Sequence, residues 1–156
     1  MDEPREVFRH MFNMQRVYFD CARIRLGNDM SVHPRQGPIM GLLLHNDGLS
    51  QADLMRSLNV TAATVAVSIS RLEKLGYVRR ERNERNQRAN VLMLTEMGRA
   101  EARKLEAALR EVRDTALDGF TEEELQSIEA YCGRMTKNLC ARYQLGEGKV
   151  QICEKC

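Results

Sequence analysis

The sequence lacks the features of a secreted, membrane-spanning or disulfide-stabilised protein. Among its 156 residues, no apolar run approaches the ~20 residues that cross a bilayer, and the charged start differs from a signal peptide. The five cysteines are odd in number and widely spaced, which argues against a disulfide framework. We therefore expect a cytoplasmic protein with reduced thiols.

Catalytic signatures are also missing. The sequence contains no Gly-rich phosphate loop, no paired-carboxylate cluster and no recognisable nucleophile triad. Tryptophan is absent and proline occurs only three times, whereas the abundant Leu, Ala, Arg, Glu and Met favour helix. We expect a helical protein that is not an enzyme and holds no cofactor.

The positive charge is concentrated in one segment. The net charge is +2, but residues 50–100 carry nine basic and five acidic residues, so the segment is +4 and the remainder −2. Most basic residues are arginines, which form forked contacts with phosphate and guanine. This distribution indicates a nucleic-acid partner, although a solvated surface is the plain alternative.

Apolar residues at steps of three and four predict helices on both sides of the centre. One spans about 5–26, a short and mostly apolar one spans 38–45, and two long ones span 95–117 and 121–143. The last carries a coiled-coil-like seam of Leu125, Ile128, Cys132, Met135 and Leu139. Because the three amphipathic helices have no other core to face, we expect a dimer interface; packing within one chain is the alternative.

The central segment contains a helix pair followed by two extended runs. Ser50 and Asp53 form a capping box that opens a third helix, and Thr61 caps a fourth. Two short helices joined by a tight turn form a helix-turn-helix. The runs 77–80 and 91–94 enclose a basic loop and predict a β-hairpin. The predicted fold is mainly α with a small β-hairpin wing, a winged helix-turn-helix between dimerisation helices.

This arrangement predicts binding to double-stranded DNA. The major groove admits one helix, and the outward face of the fourth helix carries small residues that permit close approach. Such residues touch thymine methyl groups but form few hydrogen bonds with bases. Recognition should therefore depend mainly on contacts to the DNA backbone and on DNA shape. The predicted DNA-binding residues are Ser50, Gln51, Thr61, Ala62, Ala63, Thr64, Ala66, Val67, Ser70, Arg71, Lys74, Arg82, Arg85 and Arg88.

Five short stretches carry a family resemblance. They are Pro34-x-Gln36-x-x-Ile39-Met40, residues 49–54, Val60-Thr61-x-x-Thr64-Val65, residues 71–78 and Leu94-Thr95-x-x-Gly98. In this order, residues 5–143 resemble the MarR family of winged-helix regulators. The resemblance implies a homodimer that represses transcription at a pseudo-palindromic operator. It also implies four segments. Residues 5–36 form an N-terminal dimerisation helix and linker, 37–95 a DNA-binding domain, 96–143 the C-terminal dimerisation helices and 144–156 a flexible tail.

The wing departs from the family pattern. Where members usually carry Asp-x-Arg before the Leu-Thr pair, this sequence has Asn86, Gln87 and Arg88. Arg88 remains the expected minor-groove contact, but a neutral amide orients it less strongly than a carboxylate does.

The releasing signal has several candidates. Family members often respond to a small phenolic ligand bound between the two regions. The candidate ligand-binding residues here are Tyr18, Cys21, Met40 and Leu43, although an ordinary core role is favoured for any single one of them. Cys21 lies on the apolar stripe of the first helix, which favours a packed thiol over an oxidant sensor. Cys153 and Cys156 form a CxxC motif that suits a thiol sensor or a weak metal site, or belongs to an inert tail.

Two further functions compete with DNA binding. A thiol oxidoreductase would use the terminal CxxC, but no βαβ pattern surrounds it. A winged helix used only for protein contacts would lack the steep salt dependence of binding to phosphates.

Overall fold

The computed structural model describes residues 3–27, 32–46, 48–82 and 90–144. A 3-10 turn at Pro34–Gln36 follows the first helix. The regular elements, in chain order, are helix α1 Glu3–Leu26, helix α2 Gly37–His45, helix α3 Gln51–Leu58, helix α4 Ala62–Lys74, strand β1 Val78–Arg82, strand β2 Asn90–Leu94, helix α5 Glu96–Ala116 and helix α6 Glu122–Tyr143. The predicted fold class, mainly helical with one β-hairpin, is confirmed.

Local capping explains where the helices begin. The Ser50 hydroxyl accepts a hydrogen bond from Asp53 N, and the Asp53 carboxylate accepts one from Ser50 N, which completes the predicted capping box of α3. The Thr61 hydroxyl accepts from Thr64 N at the start of α4 and the Thr95 hydroxyl from Gly98 N at the start of α5, while Thr121 and Glu124 form a second capping box at the start of α6. Each cap satisfies backbone amides that a helix start leaves without partners, so these boundaries follow from neighbouring residues alone.

The core lies around α2. Met40 and Leu43 of this helix are completely buried, in agreement with its almost wholly apolar sequence. Helices α3 and α4, both strands and the first half of α5 surround it. The remaining members of the core are Val32, Ile39, Leu54, Val65, Ile69, Leu72, Val78, Leu92, Leu94, Ala102 and Leu105.

The hairpin is joined to the helices on both sides. Strands β1 and β2 pair antiparallel with Val78 opposite Leu94, and Leu92 N donates to Leu49 O at 2.7 Å. The turn after α4 is held by Thr95, whose hydroxyl donates to Gly76 O at 2.7 Å. These bonds orient the hairpin beside α4, which places the start of the wing next to the helix-turn-helix.

The outer helices carry much of the exposed apolar surface. Helix α1 rests on α5 through Tyr18, whose hydroxyl donates to Leu109 O at 3.1 Å, and through an Arg25–Glu111 ion pair at 2.6 Å. Helix α6 has no buried residue. No helix in the described part of the chain is long and apolar enough to cross a membrane.

Two expectations about apolar residues are wrong. Cys21, predicted to be a packed thiol, is exposed on α1 because the apolar stripe of that helix faces away from this chain's core. Met97, which the periodicity places on the apolar stripe of the helix predicted over 95–117, is 54% exposed and lies beside the Gly76 turn.

Candidate nucleic-acid interface

A three-residue link sets α4 across α3. Asn59 ends α3 in the left-handed conformation, with φ of 52°, and its N–H donates to Met55 O. Asn adopts this conformation more readily than most residues, because its short polar side chain forms local hydrogen bonds. Val60 follows, and Thr61 already caps α4. The link therefore forms the tight turn of a helix-turn-helix.

Helix α4 has two distinct faces. Val65, Ile69 and Leu72 are completely buried against the core. On the opposite side, Val67 is 72% exposed and Ser70 is also exposed. This outward face is small and uncharged over its first two turns, so a major-groove floor can approach it closely.

Most predicted DNA-binding residues in the described part of the chain lie on the surface. The exposed ones are Thr61, Ala62, Ala63, Thr64, Ala66, Val67, Ser70, Arg71, Lys74 and Arg82. Ser50 and Gln51, at the start of α3, are half-buried. Arg85 and Arg88 lie outside the described residues, as do Asn86 and Gln87.

Several polar candidates are already engaged in capping. The Ser50 hydroxyl donates to the Asp53 carboxylate at 2.6 Å, and hydrogen bonds from the Ser50 hydroxyl and backbone are the main reason that the pKa of Asp53 lies below its ordinary value. The hydroxyls of Thr61 and Thr64 are 2.9 Å apart. These residues hold the starts of α3 and α4 in place, which orients the surface that DNA would meet.

The basic residues fall into two groups. Arg80 is paired with Glu73 at 2.7 Å and Arg79 with Glu81 at 2.8 Å, so acids within the protein offset their charges. Arg71 and Lys74, on the second half of α4, are exposed and form no ion pair among the described residues. Their charges remain available to phosphates beside the groove.

The candidate signal residues differ in burial. Met40 and Leu43 are completely buried in the core, Tyr18 is partly buried with its hydroxyl on Leu109, and Cys21 is exposed. Burial is the main reason that the pKa of Tyr18 is raised. The described residues contain no cluster of three or more potential metal ligands, and Cys153 and Cys156 lie outside them.

Comparisons with known proteins agree with this geometry. Residues 30–89 match the model of the MarR family. The uncharacterized HTH-type transcriptional regulator YybA of Bacillus subtilis is 31% identical over 97 residues, 62% of this chain and 65% of YybA. The chain therefore spans less than two thirds of the length of this relative.

Solved structures share the fold. MepR of S. aureus, in complex with DNA, has a TM-score of 0.74 and 24% identity, covering 85% of this chain and 97% of MepR. PcaV of Streptomyces coelicolor, in complex with its natural ligand, has a TM-score of 0.70 and 18% identity, covering 86% of this chain and 92% of PcaV. These likenesses establish a winged-helix fold with a DNA-bound example.

Proposed function

Since residues 30–89 match the MarR family model, we propose that the chain is a member of this family and acts as a homodimeric, sequence-specific DNA-binding repressor. The matched family model, the curated relative and the structural neighbours describe transcriptional regulators. Each subunit would place α4 in the major groove of a pseudo-palindromic operator. The wing would contact the flanking backbone or minor groove.

The outward face of α4 is the observation that carries this proposal. A surface helix without a partner normally presents charged or long polar side chains to water. Here the first two turns present Ala63, Ala66 and Val67, and Arg71 and Lys74, which have no ion pair within the described part of the chain, follow. Small residues at the groove floor followed by cations at its edge match the shape and charge of DNA. MepR, which has the same fold, provides an example bound to DNA.

Salt dependence tests DNA binding before any operator is known. We expect the protein to bind a fluorescent duplex of random sequence at 50 mM salt, measured by anisotropy. If six to ten phosphates are contacted, the affinity falls by about 10³–10⁵ between 50 and 200 mM salt. Failure to bind at 50 mM salt, or an affinity that salt does not change, would support a protein-interaction module instead.

The exposed apolar surface of α1 and α6 supports the homodimer. On α1, Phe12 is 68% exposed and its ring centroid lies 6.3 Å from that of Phe8. On α6, the exposed apolar side chains include Ile128, Tyr131 and Leu139. Apolar surface of this extent on two helices of one chain indicates a protein interface. A second copy presents the same two faces, so the surface is self-complementary in the manner of a two-fold dimer.

The substitution Leu139→Asp is expected to break the dimer. It introduces a carboxylate on each side of the interface without a partner, and an uncompensated buried charge costs about 3–5 kcal/mol, or at least a hundredfold in the dimer dissociation constant. Asn138→Asp adds the same charge at the neighbouring exposed position and is the matched control. Sedimentation equilibrium should show a dimer for wild type and Asn138→Asp and a shift toward monomer for Leu139→Asp. A monomeric wild type at micromolar concentration would disprove the dimer.

We also propose that a signal releases the DNA. PcaV, which shares the fold, is known with its natural ligand, and this supports a bound ligand as the releasing agent; we propose a small aromatic molecule. Exposure of Cys21 leaves an oxidant as the alternative signal. To separate a ligand signal from an oxidant signal, small aromatic acids and a mild peroxide are each screened for release of the duplex. In Cys21→Ser, only the release caused by peroxide should be lost.

A further inference from the structure

A cavity of about 130 Å³ lies where the end of α1 meets the 3-10 turn and α4. Arg23 of α1, His33 before the turn and Arg71 of α4 supply its polar lining, while Leu26, Val32 and Pro34 supply apolar walls. The predicted ligand-binding residues Tyr18, Cys21, Met40 and Leu43 do not line it. The cavity is thus distinct from the small-molecule site considered above.

His33 is held in a state that donates a hydrogen bond. Its Nδ1 accepts from Arg35 N at 3.1 Å, so the proton of the neutral ring is on Nε2. Burial is the main reason that the pKa of His33 is lowered, and Arg35, Arg71 and Arg23 add to this. Protonation of Nδ1 would also break the bond to Arg35 N. At neutral pH the ring therefore offers one donor, Nε2–H, to an occupant.

The charge around the cavity is positive. Arg71 has no ion pair among the described residues. Arg23 forms an ion pair with Asp20 at 3.3 Å, but the same carboxylate also lies 3.9 Å from Arg16. A single negative charge therefore faces two positive charges. The Arg35 guanidinium stacks over the Phe19 ring at 5.6 Å to the ring centroid. Two guanidinium groups and one imidazole N–H are the donor set that recognises an oxyanion.

We propose that this cavity binds a phosphate of the DNA backbone beside the groove that receives α4. Arg71 directly follows Ser70 on the DNA-facing side of α4, so one edge of the cavity borders the interface. A volume near 130 Å³ admits a compact oxyanion together with few waters. The proposal rests on the proposed DNA-binding function and adds Arg23 and His33, which lie outside the helix-turn-helix and wing.

The contact would connect DNA to the dimerisation helix. Arg23 belongs to α1, the helix whose apolar face supports the dimer, and Arg71 belongs to α4. A phosphate held between them would fix the position of α4 relative to α1. The position of α4 at each half-site would then be constrained through α1, the helix whose apolar face supports the dimer.

The salt slope of duplex binding tests this contact, since each phosphate contact contributes about 0.9 to the slope of log K against log salt. Arg23→Gln should weaken binding to a random-sequence duplex about tenfold at 50 mM salt and reduce the slope by about 0.9 for each bound subunit. Arg16→Gln is the matched control, because Arg16 is on the same helix, is equally exposed and shares Asp20 but does not line the cavity. It should leave the slope unchanged. Equal melting temperatures would show that both variants are folded.

The outcomes separate this inference from the proposed function. If wild type binds no duplex at 50 mM salt, the proposed function fails. If wild type binds and Arg23→Gln keeps its slope, the DNA phosphate contact is overturned. Inorganic phosphate at constant ionic strength is the second arm. Binding of free phosphate that Arg23→Gln abolishes, with an unchanged duplex slope, would place a free anion in the cavity and likewise overturn the assignment to DNA.

Discussion

Replacement of Gly98 by alanine is expected to lower the free energy of unfolding by about 3 kcal/mol or more. Gly98 is buried in the first turn of α5. A Cβ at this position would lie 2.8 Å from the carbonyl carbon of Tyr77 and closer still to its oxygen. These are backbone atoms, and Tyr77 O also accepts from Thr95 N at 2.9 Å. The clash therefore requires the start of α5 to move away from the turn that follows α4.

Urea unfolding of the two glycine variants Gly98→Ala and Gly41→Ala measures this effect. Gly41 lies inside α2, and a Cβ there meets nothing within 4 Å. Alanine should therefore stabilise that helix by about 0.5–1 kcal/mol. The two variants share the same chemical change, so an opposite sign isolates the backbone contact. Equal stability of both would show that Gly98 does not approach Tyr77 as closely as described.

Val67→Glu is expected to abolish DNA binding without affecting folding. The side chain is 72% exposed at the centre of the outward face of α4, so its replacement costs little core packing. A carboxylate there would face the phosphates and groove of DNA, and a like-charge juxtaposition at an interface costs several kcal/mol. The affinity for duplex should fall at least a hundredfold at 50 mM salt.

Two controls distinguish position from charge. Val67→Ala keeps a small apolar surface and should bind duplex within a few-fold of wild type. Ala130→Glu adds the same charge on α6, at an exposed position away from the apolar seam, and should bind normally. If Val67→Glu binds as tightly as Ala130→Glu, α4 does not enter the groove.

Helix boundaries were largely predictable from sequence because they depend on neighbours. Ser50 with Asp53 and Thr121 with Glu124 form capping boxes between residues three positions apart, and the structure has both. The two faces of α4 were predictable for the same reason, since 3.6 residues per turn places Val65 and Ile69 opposite Val67. Each of these features needs only local geometry.

How the helices pack against one another was less predictable from the sequence. The stripe on α1 indicated an apolar face but not whether this chain's own core covers it, and Cys21 is exposed in this chain. The cavity joins Arg23, His33 and Arg71 from three elements. No periodicity connects these positions, because their proximity depends on how α1 and α4 pack around α2. Whether the DNA-binding residues assigned from sequence contact DNA stays a prediction.

Selection of bound duplexes from a random pool tests the central claim most directly. If two subunits each place α4 in a major groove, the enriched sequences should contain a pseudo-palindrome whose half-sites lie about 10 bp apart, centre to centre. Val67→Glu should enrich nothing from the same pool. An enriched single half-site without its symmetric partner, or no enrichment by wild type, would contradict a dimeric DNA-binding regulator.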